Sequence, residues 1–307
     1  MHDLTQNRTM QRRRRSTILY FLHLQLPYRE AMISFFCTYL EVSSVYVGCS
    51  GWSYDAWLGH FYPANLERKE FLKYYSQVFD FVEIDSSFYS PPNLFMTKRW
   101  ASITPDNFRF AAKFPRSITH EKRLADPEKE LRYFFYVMRP LRHKLLALLL
   151  QLPPSLTAKE GLKKLEGLIP MLDPDFRYAI EVRHTSWFDK NNNKNFYKLL
   201  SDNNICLAWS QLDTIQTPPE LTSDFIYLRF IGDRSIDEKD FGKIQKNRLE
   251  ELQRWSEEVN RLKDKAKFAI MAANNHYAGF GPATANSFRR MIGLKEVDWE
   301  EMKQKRL

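Results

Sequence analysis

The sequence predicts an α/β fold, a single (β/α)8 barrel of parallel strands. Three observations predict it: eight short β-branched or aromatic runs, longer helical patterns between them, and charged residues on one face of several runs. The runs are Val45–Gly51, Phe81–Ser87, Phe108–Pro115, Lys144–Pro153, Tyr178–His184, Ile205–Gln211, Phe225–Gly232 and Phe268–His276. The helical stretches are Leu66–Phe79, Asn93–Ser102, Pro127–Met138, Ala158–Leu172, Asn195–Asp202, Asn247–Leu262 and Thr284–Ile292. The connection after the sixth run, Thr214–Asp224, carries Pro218 and Pro219 and is too short for a full helix. Eight strands in this alternation close a barrel, whereas an open doubly wound sheet has roughly five to seven. No Gly-rich phosphate fingerprint, internal repeat or low-complexity linker divides the chain, so residues 45–307 read as one barrel domain.

With 44% hydrophobic and 15% aromatic residues, the 307-residue chain can bury a sizeable core. The net charge of +9 is unevenly placed: residues 1–44 hold six arginines against three acids. Arg12 to Arg15 followed by Ile18–Leu22 imitate the first parts of a signal peptide, but His23, Gln25 and Pro27 interrupt the apolar run and no small-residue cleavage site follows. Residues 1–44 therefore read as a basic, poorly ordered extension, with Met32 an alternative start. The basic excess over the rest is modest. It is compatible with an anionic small molecule or with nucleic acid, and diagnostic of neither. Three cysteines without a close pair fit a reducing, cytoplasmic setting, and no apolar run is long enough for a membrane span.

Strand side chains alternate between faces, and in a barrel the apolar set must meet the outer helices. Val82 and Ile84 therefore send Glu83 and Asp85 inward. Phe110, Ala112 and Phe114 do the same for Arg109 and Lys113, Ile180 and Val182 for Glu181 and Arg183, and Ile226, Leu228 and Phe230 for Tyr227 and Arg229. Gln151 ends the fourth run, and Asn274, Asn275 and His276 end the eighth. Buried charges must pair or reach water at the mouth, and most of these sit near the C-terminal strand ends, where barrel active sites are built. The bland alternative is a salt-bridge lattice that closes the barrel and does no chemistry.

The segments VYVGCSGWSYDAWLGHFYP (Val45–Pro63), FVEIDSSFYSPP (Phe81–Pro92), FRFAAKFPRSITHEKRL (Phe108–Leu124), LLQLPPS (Leu149–Ser155), AIEVRHTSW (Ala179–Trp187), YLRFIG (Tyr227–Gly232) and NNHYAGFGPATAN (Asn274–Asn286) resemble, in order, the domain-of-unknown-function 72 proteins, the YecE-like family. The resemblance runs from about Val45 to about Leu294 and leaves the extension out. It implies a TIM barrel and a site built from these segments, and brings no reaction with it.

The residues themselves suggest acid–base chemistry of a hydrolase, isomerase or lyase on a small anionic substrate. Glu181 is the first candidate for proton transfer, flanked by cations that can poise it, and Glu83 the second. Two apart on a strand, Glu181 and Arg183 are neighbours along the wall rather than a bidentate pair. Lys113, Arg183 and Arg229 could clamp a phosphate or carboxylate, with Asn274, Asn275 and His276 adding donors. A helix starting near Pro282, with Thr284 as a cap, would offer amides to the same anion. Trp52, Tyr54 and Tyr89 crowd the loops, either as core or as a platform for a sugar or base. The sequence names no cofactor. Glu83, Glu181, Asp213 and His184 or His276 could supply an oxygen and nitrogen set to a divalent metal, but no HExxH-like spacing supports it.

Overall fold

In the computed structural model, which describes residues 44–304, the parallel strands surround a lumen in sequence order. The strands are β1 (Ser44–Ser50), β2 (Phe81–Ile84), β3 (Arg109–Lys113), β4 (Leu145–Gln151), β5 (Tyr178–Glu181), β6 (Cys206–Leu207), β7 (Trp209–Gln211), β8 (Phe225–Phe230) and β9 (Phe268–Ala273). They are joined side by side as β6-β5-β4-β3-β2-β1-β9-β8-β7, every pair parallel. Nine strands make eight staves, because β6 and β7 are one stave broken at Ala208. The reason lies in where its amides go. Leu207 N donates to Thr222 Oγ1 (2.8 Å) and Ser210 N to Thr217 Oγ1 (3.2 Å), so the proline-bearing connection supplies hydroxyls where a ladder carbonyl would stand. β6 stays with β5, and β7 with β8. That connection has no helix, as expected from its length.

The staves end earlier than the apolar runs suggest. Ser86–Tyr89 and Asn275–Ala278 coil into single helical turns, and residues 182–184 and 231–232 leave the ladder. The mouth is thus ringed by turns, which hold Asp85, Arg183 and His276. The last large helix spans Gly281–Met291; Thr284 lies inside it and bonds back to Phe280 O (3.1 Å), so it does not cap the helix as expected. The expected extension, residues 1–44, lies outside the described residues except for Ser44.

The lumen fills in layers. Phe81, Phe225 and Phe268 pack its lower end, and Ala111, Ala147, Ala179, Ala208 and Ala272 line the wall, leaving width for larger side chains. At the β1–β2 seam Tyr75 inserts its hydroxyl, taking Cys49 N (2.8 Å) and donating to Phe81 O (3.0 Å). Gly48 permits this approach: a Cβ there would lie 2.0 Å from Phe81 O. Outside the lumen the alternate residues Val82, Ile84, Phe110, Ile180, Leu228 and Phe230 are fully or almost fully buried in the helix-facing core.

Candidate active site at the barrel mouth

Strand parity puts Glu83, Lys113, Glu181, Tyr227 and Arg229 in one lumen, and burial leaves each almost no water. Such charges persist only if every one is paired. Arg229 is the hub. Its Nε and Nη2 reach Glu83 Oε2 (2.7 Å) and Oε1 (2.6 Å), while Nη1 donates to Glu181 Oε2. Tyr227 Oη (2.6 Å) and Ser50 Oγ (2.9 Å) complete the Glu83 carboxylate. Glu181 also accepts from Arg183 Nε, whose Nη2 turns to Gln151 Oε1 (3.2 Å). Glu181 and Arg183 thus meet through a single nitrogen, as their spacing on the wall predicts. Nearer the rim Lys113 pairs with Asp85 (2.8 Å) and sits 4.5 Å from the centre of the Phe88 ring.

The electrostatics follow. Burial alone would raise the Glu181 carboxyl, but Arg183 and Arg229 outweigh it and hold it down at about 2. Burial also opposes ionisation of Asp85, and Lys113 reverses this, holding the carboxyl below its ordinary range. For Arg229, Glu181 and Glu83 overcome burial and keep the guanidinium charged. Burial, with Arg234 nearby, lowers the His276 imidazole.

Above this cluster opens a cavity of about 320 Å³. Lys113, Arg183, Arg229, Asp85 and Gln151 face it from the staves and their turns, Trp52, Tyr54 and Tyr89 from the first two loops, and Asn274 and His276 from the last. Several expected residues stand elsewhere. Glu83, Glu181 and Tyr227 lie beneath the cavity, not on its wall. Asn275 turns away: its Oδ1 accepts from Trp57 Nε1 (3.1 Å) and Gly281 N (2.8 Å). The same bond uses the first amide of the Gly281–Met291 helix, so the anion expected at that helix start finds it already occupied. Arg109 has the parity of Lys113 but emerges at the opposite end, on the carbonyls of Asp106 (2.8 Å) and Phe108 (3.1 Å).

The wall also holds residues that the strand pattern does not reveal: Arg234, Glu238 and Phe241, from the loop after β8. Phe241 packs edge-on to Tyr54 (5.9 Å between centres) and His276 (4.8 Å). Ser50 shares the inward parity of Gly48 and could have been found by it. Among the described residues no three His, Cys, Asp or Glu side chains group to hold a metal ion. Asp213 instead pairs with Arg248 (2.8 Å), and His184 Nδ1 meets Ser186 Oγ (2.9 Å). No helix among the described residues is long and apolar enough to cross a membrane.

Comparison with known proteins is consistent with this architecture. The family model for the "Protein of unknown function DUF72" matches residues 46–306. The YecE protein of Escherichia coli (strain K12) is 32% identical over 146 residues, 48% of this chain and 51% of that protein, so the chain spans about half the length of the YecE proteins it matches. The YunF protein of Bacillus subtilis (strain 168) is 22% identical across 86% of this chain and 99% of its own. Among solved structures, a DUF72 family protein from Thermotoga maritima MSB8 superposes with a TM-score of 0.69 at 30% identity, covering 81% of this chain and 99% of that one. One from Enterococcus faecalis V583 gives 0.68 at 23% identity over 83% and 100%, a likeness of fold. The fold, the ordered motifs and the family match agree: this chain is a member of the DUF72 family.

Proposed function

We propose that the protein is an enzyme that uses acid–base chemistry on a small anionic substrate, a phosphate or carboxylate compound, held in the barrel mouth. One observation carries the reading. Lys113, Arg183 and Arg229 share a cavity wall, and the carboxylates that neutralise two of them lie beneath the floor. Because guanidinium and ammonium groups only donate, any N–H not turned to those carboxylates is offered to a ligand that only accepts. The cluster is close to neutral, so attraction comes from directed donors rather than excess charge.

Glu83 and Glu181 then serve as positioning groups, fixing the Arg229 and Arg183 forks from below. The proton-transfer groups are those on the wall, Asp85 and His276. An anion that draws Lys113 to itself takes the cation from Asp85, and the carboxylate gains proton affinity when substrate is bound. Burial, with Arg234 nearby, lowers the His276 imidazole and so favours its neutral form, and its buried Nδ1 has no hydrogen-bond partner among the described residues.

The test is calorimetry with inorganic phosphate on wild type, Arg183→Ala and Lys113→Ala. Charge-assisted contacts contribute about 1.5–3 kcal/mol each, so each variant should bind roughly ten- to a hundredfold more weakly. Equal affinity in all three, or tight binding of a single-stranded oligonucleotide with none of phosphate, would overturn the reading.

A further inference from the structure

Arg234 differs from the other cations of the mouth. It lines the same cavity, yet among the described residues no carboxylate or hydrogen-bond acceptor pairs with it, whereas Lys113, Arg183 and Arg229 each have a carboxylate. Its backbone is left-handed, φ 63°, which a residue with a Cβ adopts only when its surroundings impose it.

Those surroundings are well defined. Gly232 turns the chain at φ 76°, packed so closely on the last loop that a Cβ would lie 2.3 Å from His276 O. Asp233 accepts from Ser235 N (3.0 Å) and Ser235 Oγ (2.8 Å) and pairs with Lys246 (2.6 Å). Phe241 anchors the far side of the loop on Tyr54 and His276. The turn is held on both sides, and two exposed side chains of this loop, Arg234 and Glu238, reach the cavity wall with no hydrogen-bond or ion-pair partner among the described residues. From Arg229 at the floor to Gly232 is three residues, roughly 10 Å of extended chain. The two forks therefore start at different depths.

Building on the anion reading above, we propose that Arg234 is a second anion-binding centre, so that the ligand carries two anionic groups. Lys113, Arg183 and Arg229 hold the inner group, and Arg234 holds the outer one. Arg234 is a specificity residue: it selects ligands long enough to span floor and rim.

The experiment measures binding of inorganic phosphate, pyrophosphate and tripolyphosphate, by calorimetry at fixed ionic strength, to wild type, Arg234→Ala, Arg234→Lys and Lys243→Ala. Lys243→Ala removes one charge from the same loop outside the cavity wall. The expected result is graded. Arg234→Ala leaves phosphate within about twofold of wild type and weakens tripolyphosphate by about tenfold or more, Arg234→Lys recovers part of the loss, and Lys243→Ala affects all three ligands little and alike. If wild type binds phosphate but gains nothing with chain length, or if Arg234→Ala weakens every ligand equally, the second centre is refuted while the inner site stands. If none of the three ligands binds wild type, the anion reading falls and this proposal with it.

Discussion

Replacing Glu83 with Gln should destabilise the barrel severely, though the two side chains have nearly the same shape. All four groups around the Glu83 carboxylate are donors: Ser50 Oγ and Arg229 Nη2 on Oε1, Tyr227 Oη and Arg229 Nε on Oε2. A glutamine can satisfy only one side. Whichever way its amide turns, the NH2 faces a guanidinium N–H that stood 2.6 or 2.7 Å from an oxygen. Arg229, only 1% exposed, also loses one of its two counterions. Breaking a buried pair from one side costs about 3–5 kcal/mol. At about 2–4 °C per kcal/mol for a domain approaching this size, the melting temperature should fall by about 10 °C. Thermal and urea unfolding followed by circular dichroism measure this. Glu83→Gln/Arg229→Met removes both members of that pair and should recover part of the loss, limited because Glu181 is then left with Arg183 as its remaining arginine partner. A melting temperature within about 2 °C of wild type for Glu83→Gln would refute the claim that this carboxylate neutralises a buried hub.

Three further outcomes are expected. Glu181 has its carboxyl lowered from 4.5 to about 2, so its stabilising contribution is complete above the unfolded value and is lost as pH falls from about 4.5 towards 2; urea titrations of Glu181→Gln should show a flatter pH dependence there, by about 3 kcal/mol. Asp85→Asn frees Lys113 from its partner, so phosphate affinity measured by calorimetry should hold or rise while turnover of any substrate found falls by about a hundredfold or more. Gly48→Ala drives a Cβ to 2.0 Å from Phe81 O at the β1–β2 seam and should cost about 1–3 kcal/mol or more in urea unfolding, without altering the cavity wall.

Parity on the strands made Glu83, Lys113, Glu181, Arg183, Tyr227 and Arg229 legible from sequence, because apolar neighbours at alternate positions settle which face is which. Parity gives the face and not the height. Arg109 and Lys113 share a face on β3, yet one meets carbonyls at the bottom of the barrel and the other meets Asp85 at the mouth. For the same reason Glu83 and Glu181 read as wall residues but lie under the floor. Asn275 stays off the cavity wall because a helical turn after β9, not the strand pattern, aims its Oδ1 at Trp57 and Gly281. Arg234 carries no periodic signal at all. Its position depends on Gly232 and on contacts with the His276 loop, which only the folded chain brings together. The broken sixth stave was equally hidden, since it depends on hydroxyls of Thr217 and Thr222 reaching back across the connection.

The mouth of this barrel is proposed to be an anion site with its donors already aimed. A crystal structure of the protein soaked in phosphate tests it most directly. A tetrahedral anion is expected within hydrogen-bond distance of Lys113, Arg183 and the cavity-facing edge of Arg229, with the Glu83–Arg229–Glu181 cluster unmoved beneath it. An empty mouth with phosphate bound elsewhere, or an anion that enters only by breaking Arg229 from its carboxylates, would contradict it.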